Sequence, residues 1–186
     1  MTGDSADASI LVELVDEQGR ALGTMPKLAA HAAPGHLHRA ISVFLLDEGG
    51  RLLLQRRAAG KYHSGGLWSN TCCSHPAPGE APLAAGVRRV GEELGVATAG
   101  LAEAGTVIYR VTDRVSGLVE HEYNHLLVGH AVGIPDPDPA EVDELTGVTL
   151  DELTLMLVAT PFTAWFPAVY EAVRPALDGL SKARTA

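Results

Sequence analysis

The sequence predicts an α+β fold, an α/β/α sandwich in which helices pack on a mixed β-sheet. Apolar runs at residues 40–46 and 52–56 are separated by an Asp-Glu-Gly-Gly stretch at 47–50, which is typical of a β-hairpin. Residues 82–94 and 161–180 instead repeat their apolar side chains every three or four positions, as helices do. Hairpins with one helix in the middle and one at the end favour a sheet covered by helices.

The strands are predicted from short apolar or alternating runs bounded by turn residues. In chain order they cover residues 10–15, 21–25, 40–46, 52–56, 68–73, 107–111 and 118–128. Gly60 and Gly66 indicate a loop before the fifth strand, and Pro76 and Pro78 exclude regular structure after it. We expect a second loop at 112–117, between the last two strands.

The two helices are predicted from apolar stripes. The stripe of the first, at residues 82–94, consists of Leu83, Val87, Val90 and Leu94. Gly95 is placed to end this helix as its cap, because glycine readily adopts the left-handed conformation. The stripe of the second helix, at residues 161–180, consists of Trp165, Val169, Val173 and Leu177.

The composition indicates one domain that binds no nucleic acid. The chain has 186 residues, of which 46% are apolar, enough for a single packed core. We expect the domain at residues 9–180, between tails at 1–8 and 181–186. The net charge is −9 and the 14 basic residues are scattered, which argues against nucleic acids and anionic membranes. A small anionic substrate, which needs only a few basic groups, is compatible with this balance.

The sequence also predicts a reduced, cytoplasmic protein. No apolar run approaches the ~20 residues that span a bilayer, so we expect no membrane insertion. The first residues lack the basic and then hydrophobic layout of a secretory signal. The two cysteines, Cys72 and Cys73, are adjacent, and a disulfide between neighbours is strained. A monomer is the default expectation.

Charged residues on and before the first predicted helix suggest a metal and diphosphate site. The pattern consists of Glu80, Arg88, Glu92, Glu93 and Gly95. It resembles the Nudix box, a loop, helix and loop that presents carboxylates to a divalent metal on a diphosphate. Mg²⁺ prefers oxygen ligands and often bridges carboxylates to substrate phosphates. An ordinary amphipathic helix with a charged solvent face is the alternative.

The box departs from the hydrolytic pattern at two positions. Ser74 stands at the opening glycine, and Arg89 stands where a glutamate is expected directly after the arginine. In hydrolytic Nudix enzymes that glutamate helps to hold metals for attack by water. An arginine cannot bind a cation, and can instead pair with phosphate oxygens in a bidentate fork. The departure argues against diphosphate hydrolysis.

Histidines and carboxylates outside the box form a second candidate metal site. The residues concerned are His31, His38, His75, Glu120 and Glu122. Three imidazoles and two carboxylates suit Mn²⁺, Zn²⁺ or Fe²⁺ in a five- or six-coordinate site. Any single histidine is more often a surface or core residue than a ligand. The chain has other histidines as well, so the spacing alone leaves this alternative open: His36, His63, His121, His125 and His130.

The stretch Trp68-Ser69-Asn70-Thr71-Cys72-Cys73-Ser74-His75-Pro76 is more specific. It resembles the W-x-N-x-x-C-x-H-P stretch of type 1 isopentenyl-diphosphate isomerases, a family with a Nudix-like fold and a degenerate Nudix box. The resemblance extends over about residues 10–170 and includes further segments at 29–42, 52–57, 109–111, 119–125 and 160–165. It implies interconversion of isopentenyl and dimethylallyl diphosphate, in isoprenoid biosynthesis, as the activity.

The resemblance also implies roles for individual residues. It implies a site for Mn²⁺ or Zn²⁺ made of His31, His38, His75, Glu120 and Glu122. It implies a catalytic pair, a tyrosine bonded to its glutamate and a C-terminal tryptophan, which are Cys73, Glu122, Tyr109 and Trp165. It implies Glu93 as the carboxylate on a Mg²⁺ that is held with the diphosphate. The diphosphate-binding cations that it implies are Lys27, Arg57, Lys61 and Arg89.

The chemistry explains why such groups are needed. Protonating an unactivated alkene gives a tertiary carbocation, so two proton-transfer groups, here Cys73 and Glu122, must face each other across the substrate. An indole face stabilises a desolvated cation by about 2 kcal/mol, and Trp165 on the last helix can supply it. A core aromatic is the alternative for Trp165, and a solvated basic pair at a strand end is the alternative for Arg56 and Arg57. Which group of the pair protonates is left open.

The sequence disfavours three other functions. A Nudix diphosphohydrolase leaves Cys73 and Glu122 without a role, and Arg89 speaks against it. A metal-binding or regulatory module without catalysis is disfavoured because every catalytic and ligand position is present. A prenyltransferase needs aspartate-rich DDxxD runs on a helical bundle, and the chain has neither.

Overall fold

The computed structural model describes residues 10–183, with side chains to residue 180, and the expected tail at 1–8 lies outside this range. Nine strands form one mixed sheet. They are β1 (Leu11–Val15), β2 (Ala21–Pro26), β3 (His38–Leu46), β4 (Leu52–Arg57), β5 (Trp68–Ser69), β6 (Cys72–Ser74), β7 (Ala97–Thr112), β8 (Val119–Val132) and β9 (Val142–Val148). The helices are α1 (Lys27–His31), α2 (Pro82–Leu94), α3 (Leu150–Ala159) and α4 (Phe166–Ala183).

The parallel pair of β3 and β8 lies at the centre of the sheet. β8 pairs in turn with β7, and β3 also makes antiparallel contacts with β1, β4 and β6. β9 pairs with β4. The α+β sandwich with a mixed sheet is therefore confirmed.

Each face of the sheet is covered by a helix because side chains alternate along the strands. Phe44 and Leu46 of β3 pack in a core with α4, whereas Ile41, Val43 and Leu45 pack in a second core with α2. The stripe of Trp165, Val169, Val173 and Leu177 is fully or almost fully buried, as predicted.

Two helix predictions were wrong in detail. The last helix begins at Phe166, not at residue 161, because the preceding backbone is bonded to β5: Thr163 N donates to Trp68 O at 2.9 Å. Trp165 thus precedes the helix, and the helix continues to Ala183, beyond the predicted boundary at 180. In α2 only half of the predicted stripe is buried, since Leu83 and Val87 are 38% and 51% exposed.

Other elements differ in length or were not predicted. The strand predicted at 68–73 is two short strands, and β7 is far longer than the predicted 107–111. The loop at 112–117 is a turn, closed by a bond from Gly117 N to Asp113 O at 2.9 Å. α1, β9 and α3 had no counterpart among the predictions. No helix among residues 10–183 combines the length and the apolar character that a membrane crossing requires.

Candidate active site

Five side chains that the sequence placed in one metal site converge at one end of the β3–β8 pair. They are His31, His38, His75, Glu120 and Glu122, and their ligand atoms all lie within 4.8 Å of one another. Strand pairing explains part of this arrangement, because His38 at the start of β3 lies in register with Glu122 of β8. His31 ends α1 and His75 follows β6, so four elements supply the site.

Backbone contacts orient two of the imidazoles. Nδ1 of His31 lies 2.7 Å from Lys27 O, and Nδ1 of His38 lies 2.7 Å from His36 O. A carbonyl oxygen only accepts, so each Nδ1 carries the proton and each Nε2 presents a lone pair to the cluster. This outer contact is typical of metal-ligating histidines.

The inward-facing donor atoms fit a divalent cation. Nε2 of His75 lies 3.1 Å from Nε2 of His38 and 3.2 Å from Oε1 of Glu122, and Nε2 of His31 lies 3.0 Å from Oε2 of Glu120. Lone pairs and carboxylate oxygens at such distances repel one another unless a proton or a cation lies among them. The mixed nitrogen and oxygen donors suit Mn²⁺, Zn²⁺ or Fe²⁺.

Burial shifts the proton affinities within the cluster. It lowers the pKa of His38 to about 4, and the neighbouring His31 acts in the same direction. Burial and the charge of Glu120 raise the pKa of Glu122 to about 8. Burial also acts to raise the pKa of Glu120, but His31 and His63 outweigh it and lower that pKa. The two carboxylates thus have different environments, as expected for different roles.

Glu122 also belongs to a second group of side chains, which the sequence predicted to be catalytic. The hydroxyl of Tyr109 donates to Oε2 of Glu122, and Nδ2 of Asn124 donates to the same oxygen at 2.9 Å. Sγ of Cys73 donates to Oδ1 of Asn70 at 2.8 Å. Burial raises the pKa of Cys73 to about 11, so the thiol is the stable form.

A single cavity connects these side chains with the predicted substrate-binding cations. Its lining includes the catalytic candidates Cys73, Glu122, Tyr109 and Trp165, and also the predicted cations Lys27, Arg57, Lys61 and Arg89. The indole of Trp165 is 3% exposed, and the guanidinium carbon of Arg57 lies 5.4 Å from the ring centroid. Every predicted site residue except His31 and His38 therefore lines this cavity, and those two belong to the candidate metal cluster.

The basic end of the cavity contains carboxylates as well. Arg89 bonds to Oε1 of Glu93 at 2.6 Å and lies 3.6 Å from Glu141, which also pairs with Lys61. Glu93, the predicted Mg²⁺ carboxylate, is 3% exposed. Arg88 instead pairs with Glu80 on the solvent side, so part of the box does form an ordinary charged face.

Several residues of the site were not predicted. Asn124 shares a strand face with Glu122, and that alternation could have indicated it. Asn70 lies inside the motif from Trp68 to Pro76, called here the tryptophan-to-proline motif, and its place in that motif could have indicated it. Glu141 and His63 lie in loops with no distinctive local pattern, and His63 was counted among the unassigned histidines.

Comparison with known proteins identifies the family of the chain. The NUDIX domain family model matches residues 36–168. An isopentenyl-diphosphate Delta-isomerase of Streptomyces griseus is 61% identical over 173 residues, 93% of this chain and 88% of that protein. One from Pectobacterium atrosepticum is 47% identical over 161 residues, 86% of this chain and 88% of that protein.

Solved structures show the fold alone, because their identities are low. The crystal structure of DR0079 from Deinococcus radiodurans has a TM-score of 0.68 at 16% identity, covering 88% of this chain and 98% of its own. A MutT NUDIX hydrolase from Burkholderia pseudomallei has a TM-score of 0.58 at 23% identity, covering 74% of this chain and 98% of its own. The family model and the sequence relatives show that the chain belongs to the isopentenyl-diphosphate Delta-isomerases of the NUDIX family.

Proposed function

We propose that this protein interconverts isopentenyl diphosphate and dimethylallyl diphosphate by moving one proton onto the alkene and another off it. The observation that carries the proposal is that Cys73 and Glu122, two groups able to exchange protons, line one cavity with the indole of Trp165. Family membership supports the same activity, since the similar proteins are named for it.

The reaction balances without any oxidant or co-reactant. One group gives a proton to a terminal alkene carbon, which leaves a tertiary carbocation at the neighbouring carbon. The other group removes a proton two carbons from the first, so the double bond moves by one position. Because the reaction is reversible, Cys73 and Glu122 exchange roles between the two directions, and either assignment is compatible with their positions.

The surroundings of the pair suit a carbocation. Trp165 is buried, and an indole face stabilises a desolvated cation by about 2 kcal/mol. Burial raises the pKa of Cys73 to about 11, so the thiol carries its proton before the reaction begins. Asn70 accepts from the thiol at 2.8 Å and thereby fixes the direction of Sγ.

The basic end of the cavity suits the diphosphate. Arg57, Lys61 and Arg89, together with Lys27, offer donors for its oxygens. Binding energy from this remote group positions the alkene between the catalytic side chains. Glu141 now pairs with Lys61 and lies near Arg89, so the diphosphate replaces it as their partner.

The proposal includes two metal sites. The cluster of three histidines and two glutamates would hold Mn²⁺ or Zn²⁺, and Glu93 would share a Mg²⁺ with the diphosphate. A bound divalent cation supplies positive charge that favours the ionised form of its carboxylate ligands and neutralises the diphosphate. A cytoplasmic location and a monomeric state stay predictions from the sequence.

The test is incubation of the purified protein with isopentenyl diphosphate, Mn²⁺ and Mg²⁺ in deuterated water, followed by NMR. We expect dimethylallyl diphosphate that carries deuterium in a methyl group. Cys73→Ala and Glu122→Gln should each abolish this product. Cys72→Ala is the control and should retain it, because Cys72 is buried in the core that contains α2. Release of inorganic phosphate or isopentenyl monophosphate instead would mean hydrolysis, and neither product would mean a binding module.

A further inference from the structure

A loop histidine contacts one of the metal-site carboxylates, Glu120, from outside the five-residue cluster. His63 lies between β4 and β5, and its side chain is only 8% exposed. Its Nε2 atom lies 2.8 Å from Oε1 of Glu120, while the other oxygen of Glu120 faces His31 at 3.0 Å. Each oxygen of this carboxylate therefore has an imidazole of its own.

His63 is not a sixth member of the cluster. Its ring centroid lies 6.2 Å from that of His31, whereas the rings of His38 and His75 lie 4.6 and 5.2 Å from His31. The contact with Glu120 is as short as a hydrogen bond, although the N–H is not aligned with the carboxylate oxygen as in a regular one. Any influence of His63 on the metal must therefore pass through Glu120.

Contacts made by the loop and its neighbours hold His63 in this position. The next residue, Ser64, has a φ of 51°, a left-handed conformation that is uncommon for residues other than glycine. Its hydroxyl donates to Oδ2 of Asp113, at the β7–β8 turn, at 2.5 Å. Arg57 Nη2 donates to the carbonyl of His63 at 3.3 Å. A strained backbone conformation persists only where such contacts enforce it, and it is frequent at functional sites.

The imidazole ring is also packed between aromatic rings. Its centroid lies 4.2 Å from that of Tyr62 and 5.6 Å from that of Trp165. Through its ring, its Nε2 atom and its carbonyl, His63 thus joins Trp165, the metal-site carboxylate Glu120 and the predicted diphosphate ligand Arg57. A residue that only fills space in the core would not make all three of these polar and aromatic contacts.

We propose that His63 is a positioning residue of the metal site, which fixes the orientation of Glu120 from the loop that carries Lys61, one of the proposed diphosphate-binding cations. The proposal rests on the proposed function, since it assumes that the five-residue cluster binds a divalent cation. A carboxylate that is held on one oxygen can rotate, and a second contact on the other oxygen restricts that rotation. Removing such an outer partner typically weakens metal binding by about 10- to 100-fold.

The test measures binding of Mn²⁺ alone to the metal-free protein, by the electron paramagnetic resonance signal of free Mn²⁺. We expect the dissociation constant to rise about 10- to 100-fold in His63→Ala and in His63→Leu, which keeps the buried bulk. His63→Gln should stay within about 3-fold of the wild type, because its amide N–H reaches about as far as Nε2. His130→Ala, at the far end of β8, is the matched control and should bind Mn²⁺ normally.

Kinetics and unfolding separate positioning from a general structural role. At limiting Mn²⁺ we expect a lower kcat in His63→Leu, restored by saturating Mn²⁺, with a KM for isopentenyl diphosphate within about twofold of normal. Thermal unfolding in a chelator should show that the metal-free variants are folded. A dissociation constant unchanged in both His63→Ala and His63→Leu, or a loss that His63→Gln does not restore, would overturn the proposal. Failure of the wild type to bind Mn²⁺ or Zn²⁺ would instead overturn the metal site itself.

Discussion

The phenol of Tyr109 offers a sharp test of the proposed role of Glu122 in proton transfer. The hydroxyl donates to Oε2 of Glu122, and Nδ2 of Asn124 donates both to that oxygen, at 2.9 Å, and to the phenol oxygen, at 3.2 Å. Tyr109 is 8% exposed, so water does not readily replace the phenol. Tyr109→Phe therefore removes one donor from a buried carboxylate and leaves the ring in place.

The size of the effect follows from the type of bond that is lost. A hydrogen bond to a charged group contributes about 1.5–3 kcal/mol, whereas a typical neutral one contributes about 1 kcal/mol. If the phenol acts when Glu122 carries its charge, the loss corresponds to about a 10- to 100-fold lower kcat. The KM should stay within about twofold of normal, because the phenol bonds to Glu122 and Asn124 and not to the predicted diphosphate ligands.

The assay is steady-state conversion of isopentenyl diphosphate at saturating Mn²⁺ and Mg²⁺. Tyr123→Phe is the matched control, since Tyr123 lies on β8 but on the opposite face of the sheet, against Gly19. It should keep kcat within about twofold of the wild type. The reasoning is refuted if Tyr109→Phe is as active as this control, because the phenol would then have no part in tuning Glu122.

Four further predictions concern binding and stability. Arg89→Gln should raise the KM for isopentenyl diphosphate about 10-fold in steady-state kinetics, because a bidentate donor is lost, whereas Arg88→Gln, on the solvent side, should not. In denaturant unfolding, Gly86→Ala should destabilise by about 1 kcal/mol, since its Cβ would lie 2.6 Å from a leucine of β8. Gly91→Ala, with nothing within 4 Å, should stabilise by about 0.5–1 kcal/mol in the same assay. Thr149→Ala should cost about 1 kcal/mol, because it removes the capping box of α3.

The sequence predicted elements well where local chemistry alone decides them. The β3–β4 hairpin has a strong turn signal at 47–50, and α2 has both an apolar stripe and Gly95 as its cap. The first half of β7 was missed because alanine and glycine dominate it and two bulges interrupt its pairing with β8. β9 contains two acidic residues and a glycine, so only its pairing with β4 makes it a strand.

The sequence predicted those residues of the candidate site that belong to a recognisable motif, and it did not predict the others. The tryptophan-to-proline motif and the alternation on β8 pointed to Cys73 and Glu122 without any coordinates. His63 and Glu120 are 57 positions apart and meet only because a loop folds back over the strand. Glu141 likewise reaches Lys61 and Arg89 from a distant loop. Such contacts depend on loop conformation, for which the sequence has no periodic signal.

The candidate metal cluster lies at this end of the sheet because the two central strands change from polar to apolar residues along their length. The first residues of β3 and β8 include His38, Glu120 and Glu122. Further along the same faces of these strands, Phe44 and Leu126 pack in the core that contains α4. Strand alternation keeps all of these side chains on one face, and the parallel register brings the two polar starts together. Burying so many ionisable groups is unfavourable by itself, and the apolar continuation of the same strands offsets it. The site therefore has little freedom to move along the sheet. A shift of β8 by one residue would turn both carboxylates to the face of the sheet that α2 covers.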